Sequence, residues 1–204
     1  MAFGSHAREL FHWEKTVPLT PSNVLYGLAG LVIVATYLRM RMLRNAAKAR
    51  ETVSKSRDKA WNREKLRQGT ADMFREIQAA WNQGNAAKLE RRLERKLFEE
   101  WSERLASLKL KGERRSMAHI TVHKVEILNA KDYLDNTRDE FTARISFDGL
   151  ETVGEAEGED RAEEGRLVEY WKMGRSGEAW KVREVMRDGV LARISLALEP
   201  PDPA

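Results

Sequence analysis

From Val17 to Leu38 the chain runs VPLTPSNVLYGLAGLVIVATYL, twenty-two residues without a charge, and from Val24 onward it is almost purely apolar. No other window of the 204 residues has this character. As a helix, the purely apolar part reaches roughly 22 Å, short of a hydrocarbon core of about 30 Å. The flanks supply the missing length. Thr20 and Pro21 read as cap and first helical residue, while Met40, Met42 and Leu43 extend the apolar surface past Arg39 and Arg41, which can snorkel outward. The pattern predicts an N-terminal tail over 1–20 and a transmembrane helix over 21–43, with Tyr26 and Tyr37 suited to the two interfaces. Leu, Val, Ile and Tyr fall on every side of that helix, so it lacks the polar face of a helix buried in a small soluble core. A cleavable signal peptide would need net positive charge ahead of the apolar run. Here Glu9 and Glu14 cancel Arg8 and Lys15, although Ala47-Lys48-Ala49 offers small residues at the spacing of a cleavage site.

The positive charge follows the run instead. Residues 39–67 carry eleven basic and three acidic side chains, a net +8, against a net charge of zero before them and −4 after them. The sequence pI near 9.3 thus belongs to one short segment. This asymmetry predicts that the C-terminal portion lies on the cytoplasmic side of an inner membrane, or on the matrix side of a mitochondrial one. Residue types over 44–69 favour helix, so a basic helical connector is expected there. Arg39, Arg41, Arg44, Lys48 and Arg50 stand nearest the membrane helix and are the candidate contacts for anionic lipid headgroups, at about 1 kcal/mol per charge near the surface. The same charges suit the phosphates of RNA or a ribosome, with Trp61 as a stacking side chain. A solvated helix whose charge only fixes topology is the plainest of the three readings. The chain has no cysteine, which excludes disulfides, thiolate metal sites and a cysteine nucleophile.

A folded domain is expected over 70–190. Thr70 and Asp72 read as the opening of a helix that carries Phe74, Ile77 and Trp81 at spacings of three and four and stops at Gly84. Asn85 then caps a second helical stretch, one bent helix or two, in which Leu89, Leu93, Leu97, Trp101 and Leu105 recur every four residues until Gly112. Beyond it the period changes to alternation. Strands are predicted over Ala118–Leu128, Glu140–Phe147, Arg166–Met173 and Trp180–Met186, the last two joined by a turn at Gly174-Arg175-Ser176-Gly177. Helices first and antiparallel strands afterwards predict an α+β domain in which helices cover a curved four-stranded antiparallel sheet. The acidic stretch 151–165 reads as a mobile loop, and it lacks the alternating ligands of an EF-hand calcium loop. The C-terminal tail, 191–204, has an apolar half suited to a helix or strand and a half broken by Pro200, Pro201 and Pro203.

Several stretches together resemble a known family: Phe74-Arg75-Glu76-Ile77-Gln78-Ala79-Ala80-Trp81, Leu97-Phe98-Glu99-Glu100-Trp101, Ile120-Thr121-Val122, and Val168-Glu169-Tyr170-Trp171 with Trp180-Lys181-Val182. The pattern is similar to the TIM-forty-four-like domain family, named for the motor-anchor subunit of the mitochondrial presequence translocase. The resemblance implies a nuclear-transport-factor-two-like fold and a scaffold at the membrane, with Phe74, Trp81, Trp101, Trp171 and Trp180 as its core signature. It also implies an apolar concavity between helices and sheet that meets a lipid or a protein segment. The chain lacks the long chaperone-recruiting region of the mitochondrial protein, so motor recruitment is not carried over.

Catalytic signals are sparse. His119 and His123 lie four apart on a predicted strand, roughly 13 Å from one another, too far to share a metal. His6 and His12 fall in the tail with no orienting partner. Tyr133, Tyr170 and Glu169 are the residues a pocket enzyme of this fold would draw on, and Glu169 reads as the partner of a neighbouring arginine. No sequence motif pairs a nucleophile with a base. The sequence therefore predicts a membrane-anchored, non-enzymatic adaptor without cofactor or metal. Its expected partners are anionic lipid headgroups and an unidentified protein, in protein transport. A ribosome or RNA tether and a small-ligand carrier or pocket enzyme are the alternatives.

Overall fold

A computed structural model describes residues 21–56, 58–154 and 161–199. The expectations for the tail 1–20, for His6 and His12, and for the prolines after Glu199 lie outside the described residues. The chain divides into two units between Tyr37 and Leu38.

In the first unit the single element is the N-terminal part of helix α1, Pro21–Lys55. Leu31, Val32, Ile33 and Val34 are all exposed. Four consecutive positions at 100° steps sample the whole circumference, so this part of the helix buries no face. Among the described residues α1 is the one helix long and apolar enough to cross a membrane.

In the second unit the pattern changes within the same helix. Asn45, Ala49 and Val53 are buried at a spacing of four, which makes this stretch amphipathic. The basic connector is therefore not one helix over 44–69. It breaks after Lys55, and a short 3-10 turn, Lys59–Trp61, follows with the Asp58 carboxylate accepting from the Ala60 N–H at 2.8 Å. That turn places Trp61, 1% exposed, into the core. Helix α2, Arg63–Asn82, then starts at Asn62, whose side-chain oxygen accepts from the Lys65 N–H at 2.9 Å. The expected start at Thr70 and Asp72 is corrected accordingly. Thr70 is buried and its hydroxyl donates back to the Leu66 carbonyl at 2.7 Å, while Asp72 pairs with Arg75. Gly69, a poor helix former by about 1 kcal/mol, is carried because Leu66 and Thr70 on either side are buried.

The second helical stretch is two helices, α3 (Ala86–Arg92) and α4 (Arg95–Lys111). Between them Leu93 is extended and bridges to Val182, whose carbonyl accepts from the Glu94 N–H at 2.8 Å. The leucine period survives the break because Leu89, Leu93 and Leu97 all point inward. Gly112, at φ 69°, closes α4 with its N–H on the Leu108 and Lys109 carbonyls, the left-handed cap that glycine favours.

The four expected strands form one antiparallel sheet in the order β1-β2-β3-β4: Arg114–Lys131, Glu140–Gly154, Arg161–Ser176 and Ala179–Arg187. All are longer than alternation alone predicts. The acidic stretch is not a loop throughout: Val153 pairs with Arg161 and Gly149 with Gly165, so only residues 155–160 fall outside the described ladder. Arg115 on the adjacent β1 and Arg187 on β4, beyond β3, pair with Glu151 there. The turn between β3 and β4 is Gly177-Glu178, with Gly177 at φ 63°. One face of the sheet carries the main core, where Phe74 of α2 packs on Phe147 and Trp171 at centroid distances of 4.6 and 5.2 Å. Helix α5, Val190–Leu198, covers the opposite face by packing Ala192 and Leu196 against Tyr170, Val168 and Met186. Lys131 and Lys172 hold its end through Glu199, at 3.4 and 2.9 Å.

Candidate functional site

The core end of the sheet's inner face is closed, but the other end is not. Strand alternation places Glu169, Trp171 and Met173 of β3 on that face. Trp171 and Met173 are fully covered. Glu169 is 5% exposed and lies at the edge of a cavity of about 600 Å³. This cavity opens between α2, α4 and the strand ends, and Trp81, Leu97, Trp101, Arg115, Glu151 and Arg187 are among its lining residues.

Its floor is an ion-pair arch. Arg115 of β1 bonds Glu151 of β2 at 2.6 Å, and Arg187 of β4 grips both oxygens of the same carboxylate at 3.0 Å. The bonds from Arg187, with those from Arg115, hold the Glu151 carboxyl below its ordinary value. Glu169 goes the other way. Burial pushes its carboxyl up, and its hydrogen bond comes from the Trp171 indole N–H at 2.8 Å rather than from an arginine. The expected arginine partner is thus replaced by a tryptophan two residues along the same strand face. Trp81 and Trp101 meet edge to face at 5.2 Å in the wall, and the Trp81 N–H donates to the Arg115 carbonyl at 2.8 Å.

A family model for the Tim44-like domain matches residues 47–187. The chain belongs to the Tim44-like family. This is the TIM-forty-four-like family that the sequence motifs resemble, and the match starts inside α1, well ahead of Thr70. The crystal structure of the intermembrane space region of chloroplast protein ARC6 is similar at a TM-score of 0.44 and 14% identity, over 59% of this chain and 94% of that one. No curated protein matches. The family is in general one of non-catalytic scaffolds. A Tim44-like domain behind an apolar helix indicates a membrane-associated, single-pass adaptor.

Within the Tim44-like domain the signature aromatics separate into three places. Phe74 and Trp171 are at the centre of the core. Trp180 packs edge to face on Trp61 and Phe141, at 5.1 and 4.7 Å. Trp81 and Trp101 are only half-buried and belong to the cavity wall. Trp61, expected as a stacking platform, is in the core and closed to a nucleobase. Of the three pocket candidates, Glu169 alone lines the cavity. Tyr170 faces the opposite side of the sheet and donates to Asp188 at 3.0 Å, and Tyr133 lies under the Arg138 guanidinium. The concavity is charged where the resemblance implies an apolar one: Arg115, Glu151, Glu169, Arg183, Glu184 and Arg187 all line it. Alternation alone could have placed Glu169 and Trp171 on one face, but the open end of the sheet has no sequence signal. His123 of β1 pairs with Asp148 at 2.7 Å, and His119 occupies a bulge at φ 52°. Arg39, Arg44, Lys48 and Arg50 are exposed on α1, and Arg41 is half-buried there.

Proposed function

We propose that this protein is a membrane-anchored adaptor whose Tim44-like domain works on the cytoplasmic or matrix side of an inner membrane, in protein transport. The supporting observation is the composition of α1. It carries an unburied apolar stretch through Tyr37, then exposed arginines and lysines, then the buried Ala49 and Val53 of the folded domain. Apolar surface with no protein cover suits lipid, since leaving it in water costs about 25 cal/mol per Å². Arg39, Arg41, Arg44, Lys48 and Arg50 then fall at headgroup level, where anionic lipids attract them. The partner of the domain is a protein segment or a lipid.

Membrane fractionation tests this. The full chain is expected to resist both high-salt and carbonate washes, and a chain starting at Leu38 is expected to be released by salt. The cut is made at Leu38 because Ala49, Val53, Trp61 and Leu66 are core residues that a start at Thr70 would remove. Protease applied from the cytoplasmic or matrix side should digest the domain. Salt release of the full chain would refute the spanning helix, and ribosome co-sedimentation that collapses at moderate salt would replace the lipid contact with RNA.

A further inference from the structure

The ion-pair arch in the cavity leaves arginine donors unused. Arg115 uses Nε and Nη2 on Glu151 Oε1, and Arg187 uses Nη1 and Nη2 on its two oxygens. Neither guanidinium makes a further side-chain hydrogen bond among the described residues, so Arg115 Nη1 and Arg187 Nε keep free donors. Two guanidiniums thus share the Glu151 carboxylate. The next acid, Glu169, is buried, already bonded to Trp171, and biased by burial toward its neutral form. Arg115 is half-buried and Arg187 exposed, and both line the cavity, so these unused donors border it. The aromatic pair Trp81 and Trp101 lines the same cavity, with Trp81 tied to the Arg115 backbone. Lys96, Glu100, Arg104 and Glu184 also line it, and the two acids disfavour a polyanion.

We infer that this cavity binds a small organic monocarboxylic acid, its carboxylate on the free donors of Arg115 and Arg187 and its apolar body against Trp81 and Trp101. The volume of about 600 Å³ falls in the range of small-molecule sites. A carboxylate suits the arginines because each of its two oxygens can take one charge-assisted bond, one from Arg115 Nη1 and one from Arg187 Nε, and such bonds are the stronger kind. The inference is independent of the membrane-adaptor reading: it concerns the folded domain and holds whichever side or membrane the chain occupies.

The test is fluorine NMR of 4-fluorobenzoate and its neutral counterpart 4-fluorobenzamide, titrated into the full chain in detergent micelles. Benzoate is expected to bind saturably, and benzamide roughly tenfold or more weakly, the usual cost of losing a charge-assisted contact. Arg187→Met should bring benzoate down to the benzamide level, while Trp101→Leu should weaken both ligands. Arg187→Lys, which keeps the charge but loses the fork, should fall between wild type and Arg187→Met, and it serves as the check if the methionine variant unfolds. Equal binding of acid and amide to wild type, no benzoate binding at millimolar concentration, or affinities unchanged in the variants would each overturn the inference.

Discussion

Trp171 and Glu169 are two residues apart on one strand and face the same way, yet one sits in a dry aromatic core and the other at the edge of a charged cavity. Their surroundings differ in cover. At the Trp171 end, α2 lays Phe74 across the sheet and the turn at Trp61 closes the margin over Phe141 and Trp180. At the Glu169 end, α4 packs Trp101 and Leu105 against the core only in part, leaving them and Leu108 half-buried along a stripe that would fill a core if it were covered. An apolar stripe therefore sets which way a helix faces, whereas the number of elements laid over it sets whether the space fills. The closed end is built for stability and the open end keeps polar groups that a core would not tolerate.

The largest expected effect breaks the closed end. Trp61→Ala should cost about 3 to 5 kcal/mol, because truncating a fully buried aromatic loses its transfer energy and leaves a cavity. It also strips the edge-to-face contacts with Trp180 and Phe141. Trp61→Phe should cost far less. The indole N–H of Trp61 has no hydrogen-bond partner among the described residues, so phenylalanine removes an unsatisfied donor along with some area. Thermal unfolding of the full chain in micelles would rank the two, and equal losses would show that the connector turn is not part of the core.

Next is Arg175, which pairs with Asp58 of the connector and with Asp139, the latter at 3.2 Å. Asp139 is fully buried, and burial already holds its carboxyl above the ordinary value. Arg175→Met should cost about 3 kcal/mol at neutral pH, since it leaves that carboxylate without a counter-charge. The sign with pH follows. A raised carboxyl pKa means that the folded state binds its proton more tightly, so the deficit is full above the folded pKa and shrinks as pH falls through it. Unfolding measured at pH 7 and pH 4 should show the loss narrowing at the acid end.

Much of the closed end was legible in the sequence. The four-residue leucine period, the glycine stops and the alternation in β2 and β3 give the elements and their order, because each reflects one buried face. The connector was not legible, since Lys59, Ala60 and Trp61 carry no periodic signal and what fixes them is distant: Arg175 on Asp58 and Trp180 on Trp61. The arch fails for the same reason. Arg115, Glu151 and Arg187 come from three strands, and their meeting depends on sheet curvature that local spacing does not encode. Only the aromatic motifs, through the family they resemble, reached across such distances.

Glu169→Gln sharpens the contrast at the open end. The amide oxygen can keep the Trp171 N–H bond while the group loses its ability to ionise. Because burial raises the Glu169 pKa, the wild type is penalised as pH rises above the unfolded value and not below it. The variant should therefore be more stable than wild type at pH 7, with the advantage fading at pH 4. A loss at both pH values would mean that the ionised carboxylate is held by Arg187 and Arg115 and belongs to the arch.

The smallest effect is expected at Trp101, the counterpart of Trp61 in residue type. Trp101→Ala removes an edge-to-face partner of Trp81, a contact worth about 0.5 to 1.5 kcal/mol, and exposes little new surface because the ring already borders the cavity. The loss should stay under about 2 kcal/mol, well short of the Trp61 loss, since an open cavity can only widen and no sealed void is created. If unfolding shows Trp101→Ala to be as damaging as Trp61→Ala, then α4 is packed as tightly as α2 and the open end is an extension of the core. If the gap is as expected, the tryptophan pair is free to serve a ligand without risk to the fold.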